Sequence, residues 1–276
     1  GNRCDVSESE LLEYLGNDPQ TRVITLYLEG IKDGKSFLSA ARRVSRKKPV
    51  VVLKSGRTEA GKKATASHTG SISGEDDIHE AAFRQAGVIR ANTFHELFDI
   101  AKVLSRQPLP KGNRIAVITS SGSLGVLTVD RCISLGLRLA EYTPERIGEF
   151  KKSIPRWMSV GNPLDVGPSG LLAPAIRMAL TDENVDGIIV IPVVPYAVIS
   201  GWMQEGMPPG MILDDVLQSP QSRVKPLIIT TLGKTEWINS IRSVSGDEIP
   251  LVSSPENAAA AMAALCRYRH YLETAA

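Results

Sequence analysis

His68 is the residue whose setting first suggests chemistry. It lies in Ala64–Gly74, a stretch made almost entirely of alanine, threonine, serine and glycine, and a helical pattern follows that stretch. Ser71, Ser73 and Gly74 are suitable helix caps, and the N-terminus of a helix offers unpaired amides that hold an anion. We therefore predict a phosphate site here, with His68 at the mouth of a helix and not within it. A lone histidine in a surface loop is more often incidental than catalytic, so this interpretation needs support from other residues.

Glu29 provides one such support. It closes the apolar run Arg22–Leu28 and is followed by a glycine. A carboxylate at a strand end can accept a hydrogen bond from an imidazole, which fixes the tautomer and leaves the other nitrogen free as nucleophile or base. Glu29 precedes the first crossover and His68 follows the next strand, so both are expected on the same edge of one sheet. A solvated glutamate at a turn is the alternative.

The segment Lys54–Lys63 leads from the second strand towards His68. It is basic, contains glycines and has few apolar residues. These features predict a mobile loop that carries the histidine between two positions. For its individual lysines, simple solvation is the favoured interpretation.

A second strand-to-helix turn has the composition of an anion site. The strong strand Arg114–Thr119 runs through small residues straight into a helix, and the candidate phosphate-binding residues there are Ser121, Gly122, Ser123 and Gly125. Amides at such a turn can hold a phosphate. The turn lacks the lysine of a P-loop and the full glycine pattern of a dinucleotide fold, so neither nucleotide motif is present. We expect this turn to face the first one across a domain interface.

A further loop, Val160–Pro168, is rich in turn residues. Asn162 and Asp165 are its candidate substrate contacts. A purely structural turn is an equally good interpretation.

The composition excludes several classes of function. The chain has 276 residues, of which 42% are hydrophobic and 22% charged, and its formal charge of +2 gives no case for a nucleic-acid partner. Its three cysteines are far apart and odd in number, which argues against disulfides and a zinc site and favours a reducing, cytoplasmic setting. The apolar segment Gly187–Met203 contains two prolines, so we interpret it as a buried strand followed by a loop, not a membrane span. The first residues look like the cut edge of a larger protein.

Short apolar runs alternate with helical patterns along the whole chain, which predicts an α/β fold with two doubly wound, flavodoxin-like parallel sheets of about five strands each. The predicted strands are 22–28, 49–54, 88–90, 114–119, 187–191, 227–231 and 250–252. The predicted helices are 8–16, 35–45, 74–86, 93–105, 122–135, 144–151, 174–181, 214–218 and 255–271. The proline-containing stretch 107–113 is the predicted linker, which gives domains 1–107 and 112–276.

With these residues identified, the chain resembles the NDP-forming acyl-CoA synthetases, the superfamily of succinyl-CoA synthetase and the ADP-forming acetyl-CoA synthetases. The resemblance covers nearly the whole chain. The motifs that carry it are Tyr27–Gly30, Ser67–Gly74, Ala82–Val88, Ser120–Val126 and Asn162–Val166.

The resemblance implies a mechanism. Phosphate attacks an acyl-CoA and releases CoA, the acyl phosphate gives its phosphoryl group to His68, and the phosphohistidine passes it to ADP or GDP. Glu29 matches the glutamate that orients the histidine. The two helix N-termini that hold the phosphate match Gly70–Gly74, with Gly70, Ser71 and Gly74, and Gly122–Gly125, where Ser123 replaces a glycine of many relatives.

The resemblance also implies partners. The CoA-binding Rossmann domain and the ATP-grasp module of the family have no counterpart among these residues, so CoA and Mg-nucleotide are expected to bind through domains or subunits outside this chain, in an oligomer. No tightly bound cofactor or metal is expected, only phosphate at His68. The alternative function is a regulatory module that senses acyl-CoA or nucleotide in a protein acetyltransferase fusion. Because such forms tend to lose the histidine, His68 and Glu29 favour the enzyme.

Overall fold

The computed structural model describes residues 5–69, 75–206 and 210–275, with the backbone alone at positions 68 and 69. The chain divides into two compact units. The first comprises residues 1–105 and 267–276, and the second comprises residues 106–266. The last ten residues thus belong to the first unit, whereas the sequence-based boundary placed them with the second domain. The functional roles assigned to the two domains stay predictions.

The first unit contains a three-stranded parallel sheet in the order β1-β2-β3 among its described residues, fewer than the five strands expected. Its elements are α1 (Glu8–Asn17), β1 (Ile24–Leu28), α2 (Gly34–Ser45), β2 (Val50–Lys54), α3 (Glu59–Thr69), α4 (Asp76–Gln85), β3 (Ile89–Ala91) and α5 (Phe94–Arg106). The strands agree with the predicted apolar runs to within two residues. Helix α3 was not predicted.

The strand register of this sheet decides what lies at its carboxyl edge. Leu28 pairs with Lys54, and Leu53 pairs with Ala91, all in parallel ladders. The segments that follow the three strands therefore leave the sheet at the same edge. Below that edge, Phe37 of α2 and Phe83 of α4 are fully buried and meet edge to face, with ring centroids 6.0 Å apart. These helices thus hold one face of the sheet.

In the second unit, the described residues form a parallel sheet of six strands in the order β5-β4-β7-β8-β9, with β6 beside the end of β4. Its strands are β4 (Arg114–Thr119), β5 (Arg138–Leu139), β6 (Leu164–Asp165), β7 (Gly187–Ile191), β8 (Leu227–Thr230) and β9 (Leu251–Val252). Its helices are α6 (Gly122–Ser134), α7 (Pro144–Lys151), α8 (Leu172–Thr181), α9 (Tyr196–Gln204), α10 (Met211–Leu217), α11 (Thr235–Ser245) and α12 (Pro255–Thr274), with a 3₁₀ turn at Pro220–Arg223. The last residues of α12 belong to the first unit.

The central strands of this sheet show why the sequence predicts them well. Every residue of β7 and β8 is buried, as is all of β4 after its first residue. Strands covered on both faces require an unbroken apolar run, which is easy to recognise. After β7 the prediction was wrong, because the chain forms helix α9 where a loop was expected. Within the described part of the chain, none of the helices combines the length and hydropathy that a bilayer span requires.

Candidate functional site

The backbone of His68 lies in the last turn of α3. The prediction that His68 lies outside a helix was therefore wrong, and the segment Lys54–Lys63, expected to be a mobile loop, supplies the first half of this helix. The hydroxyl of Thr58 accepts a hydrogen bond from the Gly61 amide at 3.1 Å, and its carbonyl accepts one from the Lys62 amide at 2.8 Å. A threonine cap thus starts a helix that has no apolar periodicity to reveal it.

The predicted anion turn that follows His68 lies outside the described residues, and so do its members Gly70, Ser71, Ser73 and Gly74. Helix α4 begins at Asp76, two residues after the predicted start, with Glu75 as its N-cap residue. The side chain of Glu75 makes no capping hydrogen bond. The phosphate-binding role of residues 70–74 stays a prediction.

Lys54 holds the carboxyl edge of the first sheet together. It is only 2% exposed, so the expectation of a solvated lysine was wrong here. Its ammonium donates a hydrogen bond to the Glu29 carbonyl at 2.7 Å and another to the Ser55 carbonyl. Burial lowers the pKa of Lys54. Glu29 itself directly follows β1, as predicted from the apolar run that it closes, and it is half-buried.

A network of ion pairs ties α4 to the same edge. Arg90 on β3 pairs with Asp76 and also with Glu80, at 3.0 Å. Arg57 reaches Asp76 at 3.2 Å and the Asn92 side chain at 3.3 Å. Burial alone would raise the pKa of Asp76, but the hydrogen bonds and charges of the two arginines bring it below the ordinary value. Asp76 is therefore ionised, and the start of α4 is fixed to the sheet.

His79 is a residue near this network that sequence reasoning missed. Its ring stacks on Phe83, with centroids 6.0 Å apart, and its Nε2 is buried without a hydrogen-bond partner among the described residues. Burial lowers the pKa of His79, and the positive charges of Lys54 and Arg90 lower it further while Asp76 opposes them. The signal in the sequence was the i, i+4 spacing of His79 and Phe83 on one helix face.

In the second unit, hydroxyl groups shape the turn between β4 and α6. The fully buried Thr119 hydroxyl donates to the Ser121 carbonyl and accepts from the Ser121 amide, both at 2.9 Å. The Ser120 hydroxyl accepts from the amide of Val193 and donates to its carbonyl, both at 2.7 Å. These bonds fix the chain just before the first turn of α6.

The first turn of α6 presents amide donors. Ser121 is the N-cap, and its side chain makes no capping hydrogen bond. The amides of the first helical residues, Gly122 and Ser123 among them, have no acceptor within the helix. Any Cβ on Gly122 would lie 2.9 Å from Oδ2 of Asp165, and one on Gly125 would lie 3.0 Å from Cγ2 of Thr119. The two glycines therefore allow the close packing of this turn, and the phosphate-binding role of its amides stays a prediction.

Asn162 and Asp165 lie in the same loop but in different surroundings. The Asn162 amide donates to the carbonyls of Ile115 and Ala140 at 2.8 and 3.0 Å, and its oxygen accepts from the Val117 amide at 3.0 Å. Both donors of its side chain are thus engaged by the sheet, which supports the structural interpretation of Asn162. Asp165 is exposed, lies beside the start of α6, and accepts from the Gly167 amide at 2.9 Å. In the described residues, no group of three or more His, Cys, Asp or Glu side chains is placed to hold a metal ion.

Two family models match the chain. The succinyl-CoA ligase like flavodoxin domain matches residues 1–104. The Ligase-CoA domain matches residues 115–237. Together these matches extend over most of the chain and fall on either side of the predicted linker.

Named relatives agree with the family models. The chain is 38% identical over 270 residues to the alpha subunit of acetate–CoA ligase (ADP-forming) II of Pyrococcus furiosus, a match that covers 96% of this chain and 57% of that subunit. The chain thus spans little more than half the length of this relative.

Solved structures show the same relationship. The apo form of the dinucleotide forming acetyl-coenzyme A synthetase 1 of Candidatus Korarchaeum cryptofilum matches with a TM-score of 0.84 at 32% identity, covering 100% of this chain and 59% of that one. The same enzyme in complex with phosphate and ADP matches with a TM-score of 0.83 at 33% identity, covering 98% of this chain and 58% of that one. On these matches, the chain belongs to the NDP-forming acyl-CoA synthetase superfamily and comprises its two CoA-ligase domains.

Proposed function

We propose that this chain is the phosphohistidine-bearing core of an NDP-forming acyl-CoA synthetase, which converts acyl-CoA, phosphate and ADP or GDP into a carboxylic acid, CoA and ATP or GTP. The observation that carries the proposal is the uncapped turn of α6, where amide donors and close-packed glycines follow a strand that is buried after its first residue, in a chain of this superfamily. Phosphoryl transfer chiefly requires such positioning and charge stabilisation.

The proposed steps involve one bond exchange each. A phosphate oxygen attacks the thioester carbon, the C–S bond breaks, and CoA leaves as the thiolate. A nitrogen of neutral His68 then attacks the phosphorus of the acyl phosphate, the P–O bond to the acyl group breaks, and the carboxylate leaves. A terminal oxygen of the nucleoside diphosphate finally attacks the phosphohistidine, the P–N bond breaks, and the imidazole is regenerated.

The roles of the chain's own residues follow from these steps. Glu29 accepts the hydrogen bond of the second imidazole nitrogen and stabilises the positive charge that His68 gains when it is phosphorylated. Residues Gly70, Ser71 and Gly74 and the turn Ser121–Gly125 hold phosphate oxygens through amides and hydroxyls. Asp165 is a candidate contact for the substrate. CoA and Mg-nucleotide bind through a CoA-binding domain and an ATP-grasp domain or subunit, because the chain covers only part of its relatives' length.

The test is covalent labelling. The chain is combined with the ATP-grasp and CoA-binding domains of an ADP-forming relative and incubated with Mg²⁺ and ATP labelled on the γ-phosphate, or with labelled acetyl phosphate. We expect an acid-labile, base-stable phosphoprotein whose label is discharged by ADP and lost in His68→Ala.

Two of the three other histidines provide matched controls. His95 and His270 are exposed, and His95→Ala and His270→Ala should label like the unmodified chain. Undiminished labelling of His68→Ala would contradict the assignment of the nucleophile. Absence of label in the unmodified chain with active partner domains would contradict the enzymatic function as a whole.

A further inference from the structure

Two ion pairs connect residues that lie before His68 in the chain to residues that lie after it. The Lys62 ammonium is 2.9 Å from Oε1 of Glu75, 13 positions later. Arg57 Nε is 3.2 Å from Oδ2 of Asp76, 19 positions later. We call these contacts the cross-loop ion pairs. They join α3, whose last turn contains the backbone of His68, to the start of α4. We call residues 63–74 the His68 segment.

One of the cross-loop ion pairs, Arg57–Asp76, is itself fixed to the sheet. Asp76 is also held by Arg90, a residue of β3 whose side chain is only 9% exposed. Arg57 is also bonded to Asn92, which directly follows β3. Arg57 and Asp76 are therefore anchored to β3 and to the residue that follows it, and not only to each other.

Lys62 has two carboxylate partners, and only one of them lies on the other side of His68 in the chain. Glu59, at 2.8 Å, lies one turn earlier on the same helix, so that contact connects nothing across the segment. Glu75 lies beyond the segment. Its hydrogen bonds to Glu59 and Glu75 raise the pKa of Lys62. The difference between the two partners offers a controlled comparison.

These contacts contribute little to global stability. The side chain of Glu75 is 73% exposed and that of Arg57 is 43% exposed, and exposed ion pairs add little to the free energy of unfolding. Ion pairs at both ends of a segment still restrict the conformations available to the residues between those ends. The effect of such pairs is therefore local to the residues that they enclose.

We propose that Lys62 and Glu75, supported by Arg57 and Asp76, are positioning residues that hold the His68 segment in the geometry required for phosphoryl acceptance. This inference rests on the proposed function, because the event being positioned is the phosphorylation of His68. Misplacement of a reacting group by about 1 Å can lower a rate about 100-fold. A partial loss of restraint is accordingly expected to lower the labelling rate about tenfold without unfolding the chain.

The first experiment compares Glu75→Gln with Glu59→Gln in the labelling assay described above. Both variants remove one carboxylate from the same lysine, but only Glu75→Gln breaks a cross-loop ion pair. We expect the maximal labelling rate to fall about tenfold in Glu75→Gln and to stay within about twofold in Glu59→Gln. The acyl phosphate concentration at half-maximal rate and the unfolding temperature should be unchanged in both.

A charge exchange tests the pair directly. Glu75→Lys places two ammonium groups together and should lower the labelling rate further. Lys62→Glu/Glu75→Lys restores the attraction between positions 62 and 75 and should recover part of the rate, because the carboxylate at position 62 then also faces Glu59. Asp77→Asn removes an exposed charge from the same first turn of α4 and controls for its effect on the helix. Recovery in the exchanged variant is not expected from a merely structural role of either residue.

The outcomes separate this inference from the function on which it rests. If the unmodified chain is not labelled, the proposed function fails. If the unmodified chain is labelled at His68 and Glu75→Gln or Glu75→Lys is labelled at the same rate, the function stands and the positioning role is overturned. Equal losses in Glu59→Gln and Glu75→Gln would also overturn it, since the effect would then come from the charge of Lys62 alone.

Discussion

The carboxyl edges of the two sheets are formed by different chemical groups. In the first unit the edge is a network of charged side chains, in which Lys54, Arg57 and Arg90 contact carbonyls and carboxylates. In the second unit the turn after β4 is shaped by the neutral hydroxyls of Thr119 and Ser120, and amides are what it presents. One edge depends on long side chains from several elements, and the other on the backbone of one continuous segment.

Under the proposed function, the two edges have different tasks. A charged network gives attachment points on either side of a segment and can hold a reactive side chain. A backbone turn with small residues can approach an anion closely from a fixed direction. We therefore expect the first edge to be sensitive to loss of charge and the second to loss of a single hydroxyl or glycine.

The stability of the second unit can be followed separately by tryptophan fluorescence. All three tryptophans, Trp157, Trp202 and Trp237, lie in that unit.

The largest effect is expected at Arg90. Arg90→Met leaves Asp76 and Glu80 without their shared cation, and removal of one member of a largely buried ion pair costs about 3 kcal/mol. Arg57→Met is the matched control, because it removes an arginine from the same carboxylate where the side chain is 43% exposed, and it should cost less than about 1 kcal/mol. Hydrogen exchange of first-unit amides measures both. Equal losses would show that burial does not distinguish the two arginines.

In the second unit, a somewhat smaller loss is expected from Thr119→Val. The substitution keeps the shape of the side chain but removes the acceptor of the Ser121 amide, and an unpaired buried donor costs about 2 kcal/mol. Thr119→Ser keeps the hydroxyl and should retain the turn. Urea unfolding followed by tryptophan fluorescence reports the stability, and binding of inorganic phosphate reports the turn. Normal phosphate binding by Thr119→Val would contradict a turn whose function depends on this hydroxyl.

The sequence predicted the sheets better than it predicted the first edge. Strands β4 and β7 were placed to the residue, because a strand covered on both faces is an unbroken apolar run. Helix α3 was missed, since it contains glycine, threonine and lysine and little apolar surface, and only its Thr58 cap indicates it. The two-residue strands β5 and β6 are too short for any periodicity and exist because β4 lies beside them.

In the candidate site, too, the sequence placed the residues that depend on local pattern and missed the contacts that depend on packing. Glu29 was correctly placed at a strand end because that inference needs only local pattern, and so was the turn Ser121–Gly125. The pairing of Arg90 with Asp76 depends on how α4 packs on the sheet, which no spacing in the sequence specifies. Asn162 was an open choice between a substrate contact and a turn residue, and only its three hydrogen bonds to backbone groups favour the turn.

A pH-dependent effect is expected at His79, smaller than those of the two preceding substitutions because the ring is only partly buried. Burial lowers the pKa of His79 in the folded chain below the ordinary value of 6.5. The positive charges of Lys54 and Arg90 add to this effect, and the negative charge of Asp76 opposes it. Between the folded pKa and the ordinary pKa, the unfolded chain binds more protons than the folded chain. The contribution of neutral His79 to folding stability is therefore present above about pH 6.5 and is lost as the pH falls. His79→Phe keeps the stacking on Phe83 and should flatten this dependence between pH 8 and pH 5. An unchanged slope in hydrogen exchange of the first unit would show that another group titrates.

The smallest effect is expected at Asp165, and it has opposite signs for stability and for binding. The carboxylate lies beside Gly122 at the start of α6, where a negative charge favours the helix by about 0.5 kcal/mol. Asp165→Asn should therefore lower the stability of the second unit slightly, while it removes a charge that repels an incoming phosphate. Phosphate affinity should rise about twofold to fivefold, with the gain reduced by added salt. Asp130→Asn removes an exposed charge farther along the same helix and should change neither quantity. Weaker phosphate binding by Asp165→Asn would instead assign the carboxylate a direct role in holding the substrate, because a residue that only repels the anion cannot strengthen its binding.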